Sequence, residues 1–146
     1  MSQAGYKTIF AIATPPGRSA IAVIRISGPL ASKAPALFGA ACPLAGQFSV
    51  ARLVLDQRVI DQVILLFMQA PFSSTGEDVC EIHCHGSRAV IDALLARLGT
   101  KDDFLMAKPG EFTHRSFMNG KMDLSSVEGL ADLIEAETAT QLHQAW

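Results

Sequence analysis

Proline and glycine cut this chain before any apolar run up to Met118 reaches the length of a long helix, which restricts that part to short strands and short helices. The sharpest cut is Thr14-Pro-Pro-Gly17, between the apolar, partly β-branched runs Thr8–Ala13 and Ala20–Ser27. Both runs read as strands, joined by a tight loop with exposed backbone; Arg18 in that loop reads either as solvated or as a cation reaching a ligand tail. Gly28-Pro29 ends the second strand, and Leu30–Ala41 reads as a helix whose continuity Pro35 weakens. Val50–Leu55 and Asp61–Met68 flank Asp56-Gln57 and read as an antiparallel pair. Asp78–His83 reads as a strand, Ser87–Leu98 as a helix closed by Gly99, and Phe104–Ala107 as a short extended segment. Glu111–Met118 reads as a short helix with Asn119-Gly120 as a left-handed stop. The expected fold is α/β in the α+β sense: a mixed, largely antiparallel sheet with packed helices. With 49% hydrophobic residues in 146, the chain can bury a real core.

The last segment has a different pattern. Ser125-Ser-Val-Glu128 fits a capping box, in which the Ser hydroxyl and Glu carboxylate satisfy free N–H groups at a helix start. Val127, Leu130, Ala131, Ile134, Thr138 and Leu142 then fall at helical spacing. No Lys or Arg follows Lys121 and no Gly or Pro stop closes the helix before Trp146, so the expectation is a helix that continues in a longer natural protein.

Several function classes are disfavoured. A net charge of −2 offers no broad basic face for nucleic acid, so any RNA contact has to come from a local patch or from elsewhere in a larger protein. The start lacks the basic and apolar regions of a signal peptide, and Val63–Met68, the longest apolar stretch, is far too short to span a bilayer. Three cysteines without a secretory signal read as reduced thiols, and the expected location is the cytoplasm, with no membrane association.

Candidate chemistry concentrates in Gly76–Gly86 and Pro109–Leu124, two polar stretches in a chain that is only 18% charged. Strand alternation points Cys80, Ile82 and Cys84 one way and Val79, Glu81, His83 and His85 the other. The Cys and His of this stretch therefore face opposite sides, and a tetrahedral metal site is disfavoured against buried structural thiols. Cys42, beside Pro43, reads as packing. Glu81 is either a solvated carboxylate or an acceptor for a ligand carrying adjacent N–H donors, as on a pterin or guanine edge. Arg25 lies in an otherwise buried run, so it is either an edge-strand Arg reaching water or an anion binder, because burying a guanidinium unpaired is costly. Lys121 sits between the short helix and the long one, where its charge gains nothing from a helix start. It is either an ordinary surface lysine or a binding group. Glu111 suits the first turn of its helix on electrostatic grounds, whereas spacing assigns no role to His114 or Arg115. Thr75-Gly-Glu-Asp78 lacks the Gly-Lys-Ser/Thr of a phosphate loop, and no dinucleotide fingerprint or Gly-x-Ser-x-Gly elbow occurs.

Seven blocks, in order, resemble a known family. They are Ala13-Thr-Pro-Pro-Gly-Arg18, Val23-Ile-Arg-Ile-Ser-Gly28, Ser74-Thr-Gly-Glu-Asp-Val79, Glu81-Ile-His-Cys-His-Gly86, Pro109-Gly-Glu-Phe112, Asn119-Gly-Lys-Met-Asp-Leu124 and Ala131-Asp-Leu-Ile134. Together they resemble the N-terminal domain of the MnmE (TrmE) family of tRNA modification GTPases. The resemblance implies a folate-binding, dimer-forming domain over 1–122, similar in fold to the folate-binding module of aminomethyl-transfer enzymes. It implies that 123–146 begins a helical domain into which a G domain is inserted, with GTP, K+ and Mg2+ used only in that absent G domain. It further implies a homodimer that works with an FAD-dependent partner of the MnmG (GidA) type to modify C5 of the wobble uridine U34 in tRNA. The implied one-carbon donor is a 5-formyltetrahydrofolate-type cofactor, with Arg25, Glu81 and Lys121 as the matching contact residues. No catalytic residue is carried over to this chain. Ser87 departs from the family's second glycine and puts the local loop geometry in question. The alternatives are a free-standing folate-dependent one-carbon transferase, with His83 or His85 as acid–base groups, and a dimerisation module without ligand.

Overall fold

A computed structural model describes residues 6–14 and 20–121. Six strands form one sheet: β1 (Thr8–Ile12), β2 (Ile21–Ser27), β3 (Gln47–Leu55), β4 (Arg58–Met68), β5 (Val79–His85) and β6 (Phe104–Met106). Their order is β3-β4-β5-β2-β1-β6, antiparallel throughout except for the parallel β1–β6 pair at one edge. The helices are α1 (Arg88–Gly99) and α2 (Glu111–Met118), so the fold is the expected α+β arrangement with a mostly antiparallel sheet.

Leu30–Ala41 differs from its predicted single helix. It forms two 3-10 turns, Ala31–Lys33 and Pro35–Phe38, that meet at Ala34. Pro35 has no N–H to continue an α-helical ladder, but its fixed φ suits the first position of the second turn. The β3–β4 hairpin is longer than predicted at both starts, and Asp56 and Gln57 form its turn with φ of 51° and 67°. Two successive positive φ values are the signature of the tight turn that matches strand twist, here without the usual glycine. β5 runs two residues beyond its predicted end, to His85. Gly99 is the last residue of α1, and Thr100 takes the cap position. Gly120, at φ 71°, reverses the chain after α2 as the Asn-Gly pair suggested. Arg18 and the capping box at Ser125 lie outside the described residues, as does the proposed second unit 123–146.

One face of the sheet carries the core. Ile24, Ile26, Leu65 and Ile82 project from the central strands and are fully buried against Leu94 and Leu98 of α1, with Phe38 of the second 3-10 turn in the same cluster. Each such side chain contributes about 1.5–3 kcal/mol by leaving water. The opposite face holds Arg25, Ser27, Glu81 and His83, following strand alternation. The α2 helix covers part of it, bonding to β2 through Arg115 Nη1 and the Ser27 carbonyl. Towards β3 and β4 the same face is open, and Phe48, Val50 and Ile64 are exposed there.

Candidate functional site

Antiparallel pairing of β2 with β5 places Arg25 directly opposite Glu81 and Val23 opposite His83. Arg25 Nε donates to Glu81 Oε2 at 2.9 Å, and His83 Nε2 lies 3.0 Å from Glu81 Oε1. Burial pushes the Glu81 carboxyl up, but hydrogen bonds from His83 and Arg25, together with their charges, outweigh that and hold it below the usual carboxylate range. The ionised carboxylate accepts, so the proton on His83 belongs on Nε2. Among the described residues, the two Nη groups of Arg25 have no hydrogen-bond or ion-pair partner. The guanidinium carbon lies 5.8 Å from the centroid of the Phe112 ring, which brings the first turn of α2 to the pair.

Lys121 is exposed beyond the end of α2, and its backbone N–H donates to the Ser116 carbonyl at 2.8 Å. Among the described residues its side chain makes no hydrogen bond or ion pair, with Arg25 and Glu81 or otherwise. Of the three predicted residues, Arg25 and Glu81 are bonded to each other. Ser87 adopts φ −74° and ψ 133° as the N-cap of α1, so this position fits a side chain without strain.

A second constellation, to which spacing assigned no role, anchors α2. Arg115 and Glu77 are 5% and 2% exposed, and Arg115 Nη1 lies 3.0 Å from Glu77 Oε1 and 3.2 Å from Oε2. Ser27 Oγ donates to Glu77 Oε1 at 2.7 Å and lies 2.8 Å from Thr75 Oγ1. Asn119 Nδ2 donates to the Thr75 carbonyl at 2.8 Å, and the Arg115 guanidinium sits over the Tyr6 ring. The stretch that superficially resembled a phosphate loop is therefore a buried strap holding α2 on the sheet. Glu111 accepts from the Lys108 N–H and from Arg115 Nη2, a local role at the helix start. The spacing of Glu111 and Arg115, four apart on a helix, was the available sequence signal.

His85 and Asp61 form a further pair: Asp61 accepts from the His85 backbone N–H at 2.8 Å and lies 2.6 Å from His85 Nδ1. Beside it a groove of about 220 Å³ is lined by Ile21, Val50, Gln62, Ile64, His83 and His85. Cys80 and Cys84 are buried in the core as alternation required, and among the described residues no three His, Cys, Asp or Glu groups come together as a metal-ligand set. Burial pushes both thiols up, Cys84 to about 11, and raises Cys42 as well. Ellman's reagent at pH 8 is therefore expected to titrate at most Cys42 in the folded protein and all three thiols in guanidinium. Rapid modification of all three without denaturant would contradict this packing. No helix among the described residues is long and apolar enough to cross a membrane.

Comparison with known proteins gives a consistent result. A family model described as GTP-binding protein TrmE N-terminus matches residues 8–121. The chain is 46% identical over 141 residues to a protein named tRNA modification GTPase MnmE from Anaplasma marginale (strain St. Maries), covering 95% of this chain and 31% of that protein. Proteins of the same name from Anaplasma phagocytophilum (strain HZ) and Parvibaculum lavamentivorans are each 49% identical, over 94% and 95% of this chain and 31% and 32% of theirs. The chain spans about a third of the length of these curated relatives.

Proposed function

The chain belongs to the family of TrmE N-terminal domains, and from that premise we propose that it is the folate-binding, dimer-forming part of a GTPase that modifies tRNA. On this reading the cofactor is of the 5-formyltetrahydrofolate type, and when bound it supplies the one-carbon unit. The whole protein would be a cytoplasmic homodimer that hydrolyses GTP, with K+ and Mg2+, in a G domain outside this chain. With an FAD-dependent partner it would modify C5 of the wobble uridine of tRNA.

The observation that carries the ligand assignment is the Arg25–Glu81 pair, an ionised carboxylate beside a guanidinium whose Nη groups are free among the described residues. A carboxylate with open lone pairs suits a ring edge bearing an amino group beside an N–H, and free guanidinium donors suit carbonyl oxygens. The Phe112 ring offers an apolar wall beside the Arg25 guanidinium. Lys121, exposed and just beyond α2, suits the anionic tail of an elongated ligand. The exposed Phe48, Val50 and Ile64 supply the kind of surface that two copies would bury between them.

Calorimetry with 5-formyltetrahydrofolate tests this reading. Glu81→Ala is expected to weaken binding about thirtyfold, or about 2 kcal/mol, because it leaves ligand donors and Arg25 without their acceptor. Lys121→Ala should cost less than about fivefold, as an exposed ion pair contributes little. Unchanged affinity in a folded Glu81→Ala variant would refute the assignment.

A further inference from the structure

Both oxygens of Glu81 are held from within the chain, one by Arg25 and the other by His83. Arg25 holds Oε2 through Nε, and His83 holds Oε1 of the same planar carboxylate. With a single bond the plane can still rock about that contact, and the second bond on the other oxygen limits the rocking. The two bonds reach opposite ends of one carboxylate and define the direction in which its remaining lone pairs point. Resting on the reading of Glu81 as the acceptor for a ligand's N–H edge, we propose that His83 is a positioning residue. It aims the carboxylate at the ligand edge by holding the oxygen that Arg25 does not.

The imidazole is built for this. It is about one-third exposed, at 30%, while Glu81 is 15% exposed, so His83 reaches solvent and Glu81 largely does not. The ring also lines the groove formed by Ile21, Val50, Ile64 and His85. Among the described residues, the charged and titratable groups around it are these. On β5 they are Glu81 and His85, the latter engaged with Asp61 of β4. From β2 comes Arg25, acting through Glu81, and the direct cross-strand neighbours are Val23 and Ile64. From α2, Phe112 stands over Arg25, while Arg115 is committed to Glu77.

The test is calorimetric binding of 5-formyltetrahydrofolate to the full chain at pH 8, in wild type, His83→Gln, His83→Leu and Glu81→Gln. Circular dichroism checks that each variant is folded. His83→Gln can still donate to Oε1, so it should stay within about threefold of wild type. His83→Leu leaves Oε1 without its donor and should lose about tenfold. Wild-type affinity in His83→Leu, or an equal loss in His83→Gln and His83→Leu, would overturn the positioning role while leaving the folate reading intact. Failure of wild type to bind, or unchanged binding by Glu81→Gln, would overturn the folate reading and the role of His83 with it.

Discussion

Replacing Arg115 with alanine should destabilise the domain by about 3–5 kcal/mol, the loss expected when one partner of a buried ion pair is removed and the other is left without its counter-charge. Glu77 is the group left behind. It is 2% exposed, so water cannot replace the guanidinium, and among the described residues only the Ser27 hydroxyl would remain to its carboxylate, on Oε1. The damage extends to α2, whose attachment to β2 runs through Arg115 and the Ser27 carbonyl. In a chain of 146 residues the melting temperature should drop by roughly 10–20 °C. The cost comes from the stranded carboxylate, so the double variant Arg115→Met with Glu77→Leu should recover at least about half of it. Ser27 and Thr75 keep each other as hydrogen-bond partners in that variant. Thermal and urea unfolding of the two single variants and the double variant give the coupling directly. A single-variant loss under about 1 kcal/mol would show that the pair is solvated.

The second large effect is expected at Gly28, where β2 ends. Its φ is 141°, and a Cβ there would stand 2.6 Å from the Thr8 Cα and 2.9 Å from Thr8 Oγ1. The nearest atom is strand backbone, which cannot rotate aside. Displacing Thr8 would also disturb the bond from the Leu30 N–H to Thr8 Oγ1, at 2.8 Å, which fixes the first 3-10 turn. Gly28→Ala should therefore cost roughly 3 kcal/mol or more, combining backbone strain with overpacking. Gly46→Ala is the control: its φ is 76°, with nothing within 4 Å of the added carbon, so strain of about 1–2 kcal/mol is all that remains. Equal losses at the two glycines in urea titrations would show that β1 yields and that the contact at Thr8 carries no cost.

The strands were legible because burial and chemistry coincide in them. The alternation of Cys80, Ile82 and Cys84 with Glu81 and His83 follows from the period of a strand, and the core is built on that period. The Leu30–Ala41 helix was misread because apolar spacing looks alike in an α-helix and in two short turns, and the missing N–H of Pro35 decides between them. Glu77–Arg115 was not legible, since pairing residues 38 apart depends on where α2 lands on the sheet. The Arg25–Glu81 meeting required the register of β2 against β5. Alternation gives the face of each residue, but no local pattern in either strand states which residue lies opposite which.

Arg25, Glu81 and His83 all ride on β2 and β5, strands with a hydrogen-bonded neighbour on both sides. Their backbone is already immobile before any ligand arrives, so capture there costs almost no conformational entropy on the protein side. Lys121 stands beyond α2 on a long side chain with about 2 kcal/mol of rotamer entropy to lose. On the proposed reading, discrimination among ligands is therefore concentrated at the ring edge, and the tail end is left permissive.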